Sequence, residues 1–507
     1  MLMEVRFAAS LAGHMLNDVV SLVVFSALDL LDVLLCLVYK LADYALESEW
    51  RPCYCSSSAT DVITSRGEIL VSETASGASK VVCLSSSSSK LLQLEDVSDT
   101  LYSRRSLVAD ISRRAVEGLR RRRGTRSDGS SRKVTTTTFT INSTIVQMLQ
   151  GRIGGQQSHP IPRWSDCGCK TCNSWSSAPQ PARNSLYLHA ETPREGSVAK
   201  NKEDVLFIHG FISSSAFWTE TVFPNFSEST RSRYRLFAVD LLGFGRSPKP
   251  ADSLYTLREH VDMIERSVLK PYKVESFHIV AHSLGSILAL AIAVKYPDAV
   301  KSLTLLSPPY FPVPKGEKGT QYVLRRVAPR RVWPPIALGA SIACWYEHIS
   351  RTVCLLICKN HRLWEFLFKL ITMNRMRTFL MEGFFCHSHN AAWHTLHNII
   401  CGSADKIDGY LDTVRDHLNC RVTVIHGRND DLLPVGCSAA VKSRIPRAEV
   451  RIVEHKDHIT IIVGRQKAFA RELEEIWSGT RPAENENMIL EKERKLADDG
   501  NNGYKSR

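Results

Sequence analysis

The chain has 507 residues, of which 44% are hydrophobic and 23% are charged, a balance that is typical of a folded globular protein. Its formal charge of +13 favours anionic surfaces, but without a recognition module or interleaved aromatic residues it does not indicate a nucleic-acid partner. Fourteen cysteines in a chain of this length exclude a small scaffold held together by disulfides.

The N-terminal segment, residues 1–50, is hydrophobic and amphipathic. Residues 19–41 have the length of a membrane span, but Asp29 and Asp32 would each cost about 2.5–3.5 kcal/mol near its centre. On a helix the polar side chains fall in one stripe and leave a wide apolar face; they are His14, Asp18, Asp29, Asp32, Lys40, Asp43 and Glu47. A signal peptide, an interfacial membrane anchor and a helix packed on the protein itself all fit this pattern.

Residues 51–184 are rich in Ser and Arg and carry too few periodic apolar residues for a core, so we expect a mostly flexible region. Within it, residues 101–123 fit a basic helix on an anionic surface, although a solvated charged segment is the simpler interpretation. A cysteine cluster at 167–172 supplies at most half of a structural zinc site, so we predict no metal. A local disulfide, free thiols and a distant further ligand stay open as alternatives.

From about residue 185 the pattern changes to short apolar runs separated by helical segments, which is typical of a parallel sheet with helical crossovers. The runs predicted to be buried strands are 205–210, 235–240, 277–282, 302–307, 422–427 and 449–455. Residues 256–270 and 284–296 are predicted to be helices. The sequence thus predicts an α/β fold whose mostly parallel central sheet has helices on both faces.

The core is predicted in two parts, residues 185–310 and 421–478. Between them, residues 311–420 are rich in Trp, Phe, Leu, Arg and His without a clear strand, which predicts a helical lid or cap insertion. The charged residues 479–507 are expected to form a disordered tail.

Ser283 lies in the stretch Ala281-His282-Ser283-Leu284-Gly285, directly after an apolar strand and before a helix-like run. A serine on such a strand-to-helix turn is a candidate nucleophile, and its neighbours two positions away must be small because strand and helix pass closely there. Ala281 adds only one methyl group where the motif usually has glycine. A chance match would be the simpler interpretation if this motif stood alone.

A second motif, at residues 207–218, supplies candidates for an oxyanion hole. It ends an apolar strand in His-Gly, a type of loop whose backbone N–H groups can face a developing oxyanion. We predict the backbone N–H groups of Phe211 and Leu284 as the donors.

A nucleophilic serine needs a histidine base and a carboxylate that orients it, here in the chain order Ser, Asp, His. Asp430 and Asp431 directly follow a predicted strand, and the spacing from the preceding glycine favours Asp430. His455 ends the last predicted strand, whereas His458 lies in the loop before the final helix, from where its ring can reach over the sheet edge. We therefore predict Ser283, Asp430 and His458 as a catalytic triad.

These motifs resemble the α/β-hydrolase superfamily over about residues 200–478, and DLLGFGRSPKP at 240–250 is another of its typical loops. More narrowly, HGFISSSAFW, DLLGFGRS, AHSLG, HGRNDDLLP and KDHITI, together with CGCKTC and the hydrophobic N-terminus, are similar to the plant BODYGUARD family, described as probable lysophospholipases. The resemblance implies an extracellular protein of the epidermis that is needed for cuticle and cutin formation.

Carried over to matching positions, the resemblance implies Ser283 as the nucleophile, Asp430 and His458 as the charge-relay pair, and His209 in the oxyanion loop. We expect a serine ester hydrolase or acyltransferase that works through an acyl-enzyme and needs no cofactor. Its partners would be a lipid acyl ester and a membrane surface or an acidic cell-wall polymer, and it would be secreted or held at a membrane. A non-catalytic or weakly catalytic protein of the same fold that binds a small apolar ligand is the alternative.

Overall fold

The computed structural model describes most of the two predicted core segments and the helical insertion between them. The described residues are 2–47, 69–73, 79–83, 91–93, 97–101, 163–167, 185–193, 203–250, 253–371, 373 and 378–479. The predicted basic helix beyond residue 101, most of the cysteine cluster at 167–172 and the tail beyond residue 479 lie outside these residues.

Two sheets are present among the described residues. The smaller consists of β1 (Ile69–Glu73), β2 (Ser79–Cys83) and β3 (Leu91–Gln93), antiparallel neighbours within the region predicted to be mostly flexible. The strands of the larger sheet are β4 (Leu188–Glu191), β5 (Glu203–Ile208), β6 (Tyr234–Val239), β7 (Phe277–His282), β8 (Val300–Leu306), β9 (Arg421–Gly427) and β10 (Glu449–Val453). Their order is β10-β9-β8-β7-β5-β6-β4, and every neighbouring pair is parallel except β4 with β6.

The larger sheet confirms the predicted α/β fold. Each predicted strand corresponds to one of the strands from β5 to β10. The strands from β5 to β9 are largely buried, as runs of Val, Ile, Leu and Phe are in a parallel sheet, whereas the edge strand β10 is half-buried throughout. The sequence analysis does not predict β4, since this antiparallel edge strand, Leu-His-Ala-Glu, is mostly half-buried and lacks an apolar run.

Helices cover both faces of the larger sheet and fill the insertion. In chain order they are α1 (Leu2–Glu47), α2 (Ala216–Thr219), α3 (Glu228–Arg233), α4 (Leu257–Ile264), α5 (Leu284–Lys295), α6 (Gly319–Val327), α7 (Pro335–Trp345), α8 (Glu347–Ile357), α9 (His361–Ile371), α10 (Thr378–Phe385), α11 (His389–Thr395), α12 (Ala404–His417), α13 (Gly436–Arg444) and α14 (Gln466–Ser478). A capping box begins α4: Thr256 Oγ1 accepts from the N–H of Glu259, and the Glu259 carboxylate accepts from the N–H of Thr256. The predicted helices at 256–270 and 284–296 correspond to α4 with its π-helical extension and to α5.

The hydrophobic core lies on the two faces of this sheet. On one face the strands pack against α4, α5 and α12. On the other face Phe217 and Trp218 of α2 pack with Phe469 and Trp477 of α14. Because β5 to β10 run parallel, their carboxyl ends meet along one edge, and the candidate residues follow β5, β7, β9 and β10 at this edge.

The described chain between β8 and β9 is helical from α6 to α12. Since α12 packs against α5 in the core layer, we define the cap as residues 308–403, which carry α6 to α11. The lid predicted at 311–420 therefore includes one helix that the structure packs into the core.

α1 docks on the cap through its polar stripe. Asp32 accepts hydrogen bonds from the first N–H groups of α8 and from His348 Nδ1, each over 3.0 Å. Asp43 accepts two hydrogen bonds of 2.8 and 2.6 Å from the guanidinium of Arg351. The charged side of α1 thus faces the protein.

Candidate active site

Ser283 occupies the turn between β7 and α5. Its φ of 52° and ψ of −122° are values that non-glycine residues rarely adopt, so the backbone is strained here, as in a nucleophile elbow. The turn is tight, because a Cβ added at Gly285 would lie 2.7 Å from the carbonyl oxygens of Ile208 and His209. Ala281 is fully buried inside the sheet. The fold accommodates a methyl group at position 281 but not at position 285.

The loop after β5 approaches Ser283 closely. A Cβ added at Gly210 would lie 3.2 Å from the Cβ of Ser283. The buried His209 holds this loop, since its Nδ1 donates to the Gly210 carbonyl over 2.7 Å and its Nε2 accepts from the N–H of Leu241 over 2.9 Å. Burial lowers the pKa of His209. The neutral ring therefore braces two loops against each other beside the serine.

The two predicted oxyanion donors belong to the backbone around Ser283. Leu284 is the first residue of α5, and the first N–H groups of a helix have no partner inside the helix. Phe211 follows Gly210, and its ring packs edge-on against Phe244 with 5.9 Å between the ring centroids. This contact holds the residue after the His-Gly pair in place.

Asp430 follows β9, His458 follows β10, and their side chains are hydrogen-bonded. His458 Nδ1 lies 2.7 Å from Asp430 Oδ2, while Asp430 Oδ1 accepts from the N–H groups of Leu432 and Leu433 over 3.0 and 2.8 Å. Burial alone would raise the pKa of Asp430, but hydrogen bonds with His426 and His458 hold it well below its ordinary value. Asp430 is therefore a carboxylate that fixes His458 with Nδ1 as the donor, which leaves Nε2 to accept a proton.

The alternative acid and base have different surroundings. Asp431 is exposed, whereas Asp430 is 7% exposed. His455 is also exposed and has a left-handed φ of 58° in the turn after β10. The exposure of Asp431 and His455 favours Asp430 as the acid and His458 as the base, because water competes for the hydrogen bond that orients an imidazole.

His282, next to the serine, is a buried residue that the sequence analysis does not single out. Its Nε2 donates to the backbone carbonyl of His458 over 3.0 Å, and its ring stacks on Phe217 at 5.1 Å. Burial lowers the pKa of His282 to about 3, so the ring is neutral. It joins the turn of Ser283 to the loop of His458. The sequence signal that could identify it is a histidine at the end of the strand, directly before the candidate nucleophile.

Asp240, directly after β6, is a second residue that the sequence analysis does not assign. Its carboxylate accepts from the N–H groups of Ser215 and Arg246 over 2.5 and 2.7 Å, and its carbonyl accepts from Ser247 Oγ over 2.5 Å. Asp240 is 1% exposed, and through these hydrogen bonds it joins the loop after β5 to the loop after β6. The sequence signal that could identify Asp240 is a carboxylate directly after a buried strand.

The cap lies on these two loops. A Cβ added at Gly383 of α10 would lie 3.3 Å from the Cα of Ser213, and Phe244 pairs with His387 through an isolated antiparallel bridge. Ser283 itself is 6% exposed. The candidate site is thus a covered one, with the cap resting on the loops that surround the serine.

Comparison with known proteins identifies the family. The family model for the alpha/beta hydrolase fold matches residues 205–328. "Probable lysophospholipase BODYGUARD 3" of Arabidopsis thaliana is 58% identical over 94% of this chain and 98% of its own length. BODYGUARD 1 and BODYGUARD 2 of the same plant are 54% and 52% identical, over 91% and 92% of this chain and 96% and 98% of their own lengths. The chain therefore belongs to the BODYGUARD family and has the α/β-hydrolase fold.

Proposed function

We propose that the chain is a serine ester hydrolase for lipid esters, with Ser283 as the nucleophile, His458 as the general base and Asp430 as the residue that orients the base. The observation that carries the proposal is the 2.7 Å hydrogen bond between Asp430 and His458 at the sheet edge where Ser283 has its strained conformation. The hydrogen bond from His282 to the His458 backbone supports it, because it joins the nucleophile turn to the loop of the base.

In the first half-reaction His458 Nε2 takes the proton of the Ser283 hydroxyl while Oγ forms a bond to the ester carbonyl carbon. We assign the backbone N–H groups of Phe211 and Leu284 to the oxyanion that develops. The bond to the alcohol then breaks, His458 gives its proton to the leaving alcohol, and the acyl group stays on Ser283. In the second half-reaction a water molecule gives a proton to His458 while its oxygen forms a bond to the acyl carbon. The bond between this carbon and Ser283 Oγ then breaks, His458 returns the proton to Ser283, and the acyl group leaves as a carboxylic acid.

Lysophospholipids are the proposed substrate class. Support comes from the relatives, whose names describe them as probable lysophospholipases, and from apolar cap helices that suit a long acyl chain. Large apolar side chains exposed on α8 and α9 are Val353, Leu356, Leu363, Phe366, Leu370 and Ile371. If a hydroxylated fatty acid replaces water as the acceptor, the same acyl-enzyme forms a new ester, which fits the role in cuticle and cutin formation that the resemblance implies.

The apolar side of α1 supports action at a lipid surface. While its polar stripe contacts the cap, where Asp32 and Asp43 are 1% and 4% exposed, its other side is open to the solvent. Its exposed large apolar side chains are Met15, Leu16, Val19, Val20, Leu22, Val23, Leu30, Leu31, Leu34, Leu37, Val38, Leu41, Tyr44 and Leu46. An apolar surface of this size is typical of a membrane or protein contact.

In this proposal α1 is retained and lies in the membrane interface at the outer surface of the cell, next to the acidic polymers of the wall. By length and composition Met15–Glu47 could cross a membrane, but crossing would draw Asp32 and Asp43 away from their partners His348 and Arg351. An interfacial position keeps these contacts and brings the cap to its lipid substrate. The hydrogen bonds of Asp32 and Asp43 to the cap favour a retained anchor over a cleaved signal peptide.

The catalytic proposal is tested by fatty-acid release from 1-palmitoyl lysophosphatidylcholine by the full-length chain. We expect release to fall to background in Ser283→Ala. The matched control is Ser286→Ala, which removes a fully buried hydroxyl from the first turn of α5 and should leave release nearly unchanged. A hydroxylated fatty acid added as acceptor separates hydrolysis from acyl transfer. Equal release by the Ser283→Ala chain would contradict the proposal.

The membrane proposal is tested by flotation with phosphatidylcholine–phosphatidylserine vesicles. Leu30→Asp with Leu34→Asp should abolish flotation, because both side chains are exposed on the apolar side of α1. The control carries the same added charge on the exposed core surface, as Ser229→Asp with Ser443→Asp, and should float. Equal flotation of the two variants, or a mature N-terminus after residue 47, would contradict the proposal.

A further inference from the structure

The cap contains two thiols and two imidazoles that the proposed ester chemistry does not use. Cys354 lies on α8, and Cys358 directly follows the last residue of this helix with helical dihedral angles. Because they are four residues apart, both side chains lie on the same side of the helix end. His387 and His389 lie at the junction of α10 and α11. Cys358, His387 and His389 are 6%, 9% and 8% exposed, so the cluster is largely closed to water.

The spacing of these atoms fits a tetrahedral metal ion. His387 Nε2 lies 3.6 Å from Cys354 Sγ and 3.8 Å from Cys358 Sγ, and the three ligand atoms all lie within 4.8 Å of one another. A sulfur at about 2.3 Å and a nitrogen at about 2.0–2.1 Å from a tetrahedral zinc ion are about 3.6 Å apart. Among the described residues this is the one group of three or more side chains with such a geometry.

The histidines of the cluster have ring nitrogens that could still bind a metal ion. Apart from contacts with the thiols, the described residues provide no hydrogen-bond partner for Nδ1 of His387 or for either ring nitrogen of His389. Buried polar atoms normally have partners, and an ion bound between the side chains would supply one.

We propose that Cys354, Cys358 and His387 bind one Zn²⁺ ion and that His389 is its fourth ligand. Two thiolates and two imidazoles form a ligand set of structural zinc sites, and soft sulfur ligands disfavour Mg²⁺ and Ca²⁺. The sequence predicts no metal, because the cysteine cluster at 167–172 supplies at most half of a structural zinc site. The four ligands proposed here come from a Cys-x-x-x-Cys and a His-x-His segment that the fold of the cap brings together.

The position of the site indicates a structural role. His387 pairs with Phe244 through the isolated bridge, and the Phe244 ring packs against those of His209 and Phe211 at 6.2 and 5.9 Å. An ion bound at His387 would connect α8 to the loops that surround Ser283. Its removal should loosen the cap and expose it to proteases, whether or not the serine chemistry is as proposed.

The metal content of the full-length chain, purified without chelators and supplied with buffered zinc, tests the site. We expect about one zinc ion per chain, and loss of nearly all of it in Cys354→Ala with Cys358→Ala. Cys420→Ala, which removes a buried thiol from the core, is the control and should keep the zinc. Zinc retained equally by the double variant, or no zinc bound by the unaltered chain, would overturn the proposal.

Cobalt substitution tests the site without a mutation, so a variant that fails to fold does not decide the outcome. Co²⁺ in the unaltered chain should produce a thiolate-to-metal charge-transfer band and the visible bands of tetrahedral cobalt, and His387→Gln should weaken both. Absence of these bands, or a Cys354–Cys358 disulfide in the peptide map of the native protein, would also overturn the proposal.

Discussion

Two aspartate–histidine pairs with similar geometry lie in two different regions of the molecule. At the edge of the sheet, His458 Nδ1 is 2.7 Å from Asp430, and between α1 and the cap, His348 Nδ1 is 3.0 Å from Asp32. Both carboxylates are buried, and each also accepts two hydrogen bonds from backbone N–H groups.

The two pairs differ in what surrounds the imidazole. The side chain of His458 is 13% exposed and lies beside the strained turn of Ser283, whereas that of His348 is 5% exposed and stacks on Tyr39 of α1. Burial would lower the pKa of His348, but the hydrogen bond to Asp32 raises it to about 10, so this pair is an ion pair that fastens a helix. In our proposal only the pair at the sheet edge is catalytic, because its imidazole adjoins the turn of the proposed nucleophile, Ser283.

The largest expected effect is a loss of ester cleavage, which should follow a change in the Asp430–His458 pair but not in the Asp32–His348 pair. Asp430→Asn should lower ester cleavage by about 10⁴-fold, because the amide no longer holds the imidazole in the required tautomer. Asp32→Asn should leave the rate nearly unchanged and loosen α1 instead. The check is the rate of fatty-acid release beside hydrogen exchange in α1. A similar loss of rate in both variants would remove the distinction between the pairs.

A smaller effect is expected at the docking surface of α1. Arg351→Ala breaks a bidentate pair with Asp43 whose side chains are only 7% and 6% exposed, and it leaves Arg163 as the guanidinium that still contacts this buried carboxylate. Because Arg163 remains, we expect the loss of stability to stay below about 3–5 kcal/mol, the cost of an unpaired buried charge, and to appear as faster hydrogen exchange across α1. The control is Arg415→Ala, whose pair with Asp416 is exposed and should not affect exchange in α1. Unchanged exchange in Arg351→Ala would contradict the docking.

The pH dependence of docking follows from His348. Its pKa is about 10 in the folded protein against an ordinary value of 6.5, so the stabilisation is fully present below pH 6.5 and is lost as the pH rises towards 10. Protection of α1 amides, corrected for the intrinsic exchange rate, should fall over this range. His348→Gln should flatten the profile. A profile that is equally steep in both chains would assign the effect to another group.

The smallest effect concerns the strand side of the serine turn. Ala281→Gly restores the usual glycine and should leave activity nearly unchanged, with a loss of stability of about 0.5–1 kcal/mol from the more flexible strand. Gly285→Ala is the matched comparison and should lose activity, because its methyl group would meet the carbonyl oxygens of Ile208 and His209 at 2.7 Å. Rates and thermal unfolding temperatures of the two variants provide the check. An active Gly285→Ala chain would show that the turn is looser than described.

The sequence predicts the parts of this molecule whose signal is local. Apolar runs locate the strands from β5 to β10, and short motifs locate Ser283 and Asp430 at the ends of strands. The edge strand β4 lacks such a run. The supporting role of His282 also escapes sequence analysis, because its partner is a backbone carbonyl 176 residues away.

The polar stripe of α1 can be recognised in the sequence, but the surface that it faces cannot. Asp32 and His348 are separated by 316 residues, and Asp43 and Arg351 by 308, so periodicity alone cannot decide whether the stripe faces water or a second charged surface. The sequence pattern therefore fits a signal peptide, a membrane anchor and a packed helix. The cap cluster is also hard to find from the sequence, because its cysteines and histidines stand 29 or more residues apart.

Reaction of the full-length chain with a fluorophosphonate tests the central claim most directly, because only an activated serine attacks this reagent. Intact-mass and peptide analysis should find a single adduct on Ser283, absent in Ser283→Ala and formed far more slowly in His458→Ala. Asp32→Asn should be labelled like the unaltered chain. No adduct on Ser283, or labelling that does not depend on His458, would contradict the claim and favour a protein that binds an apolar ligand without cleaving it.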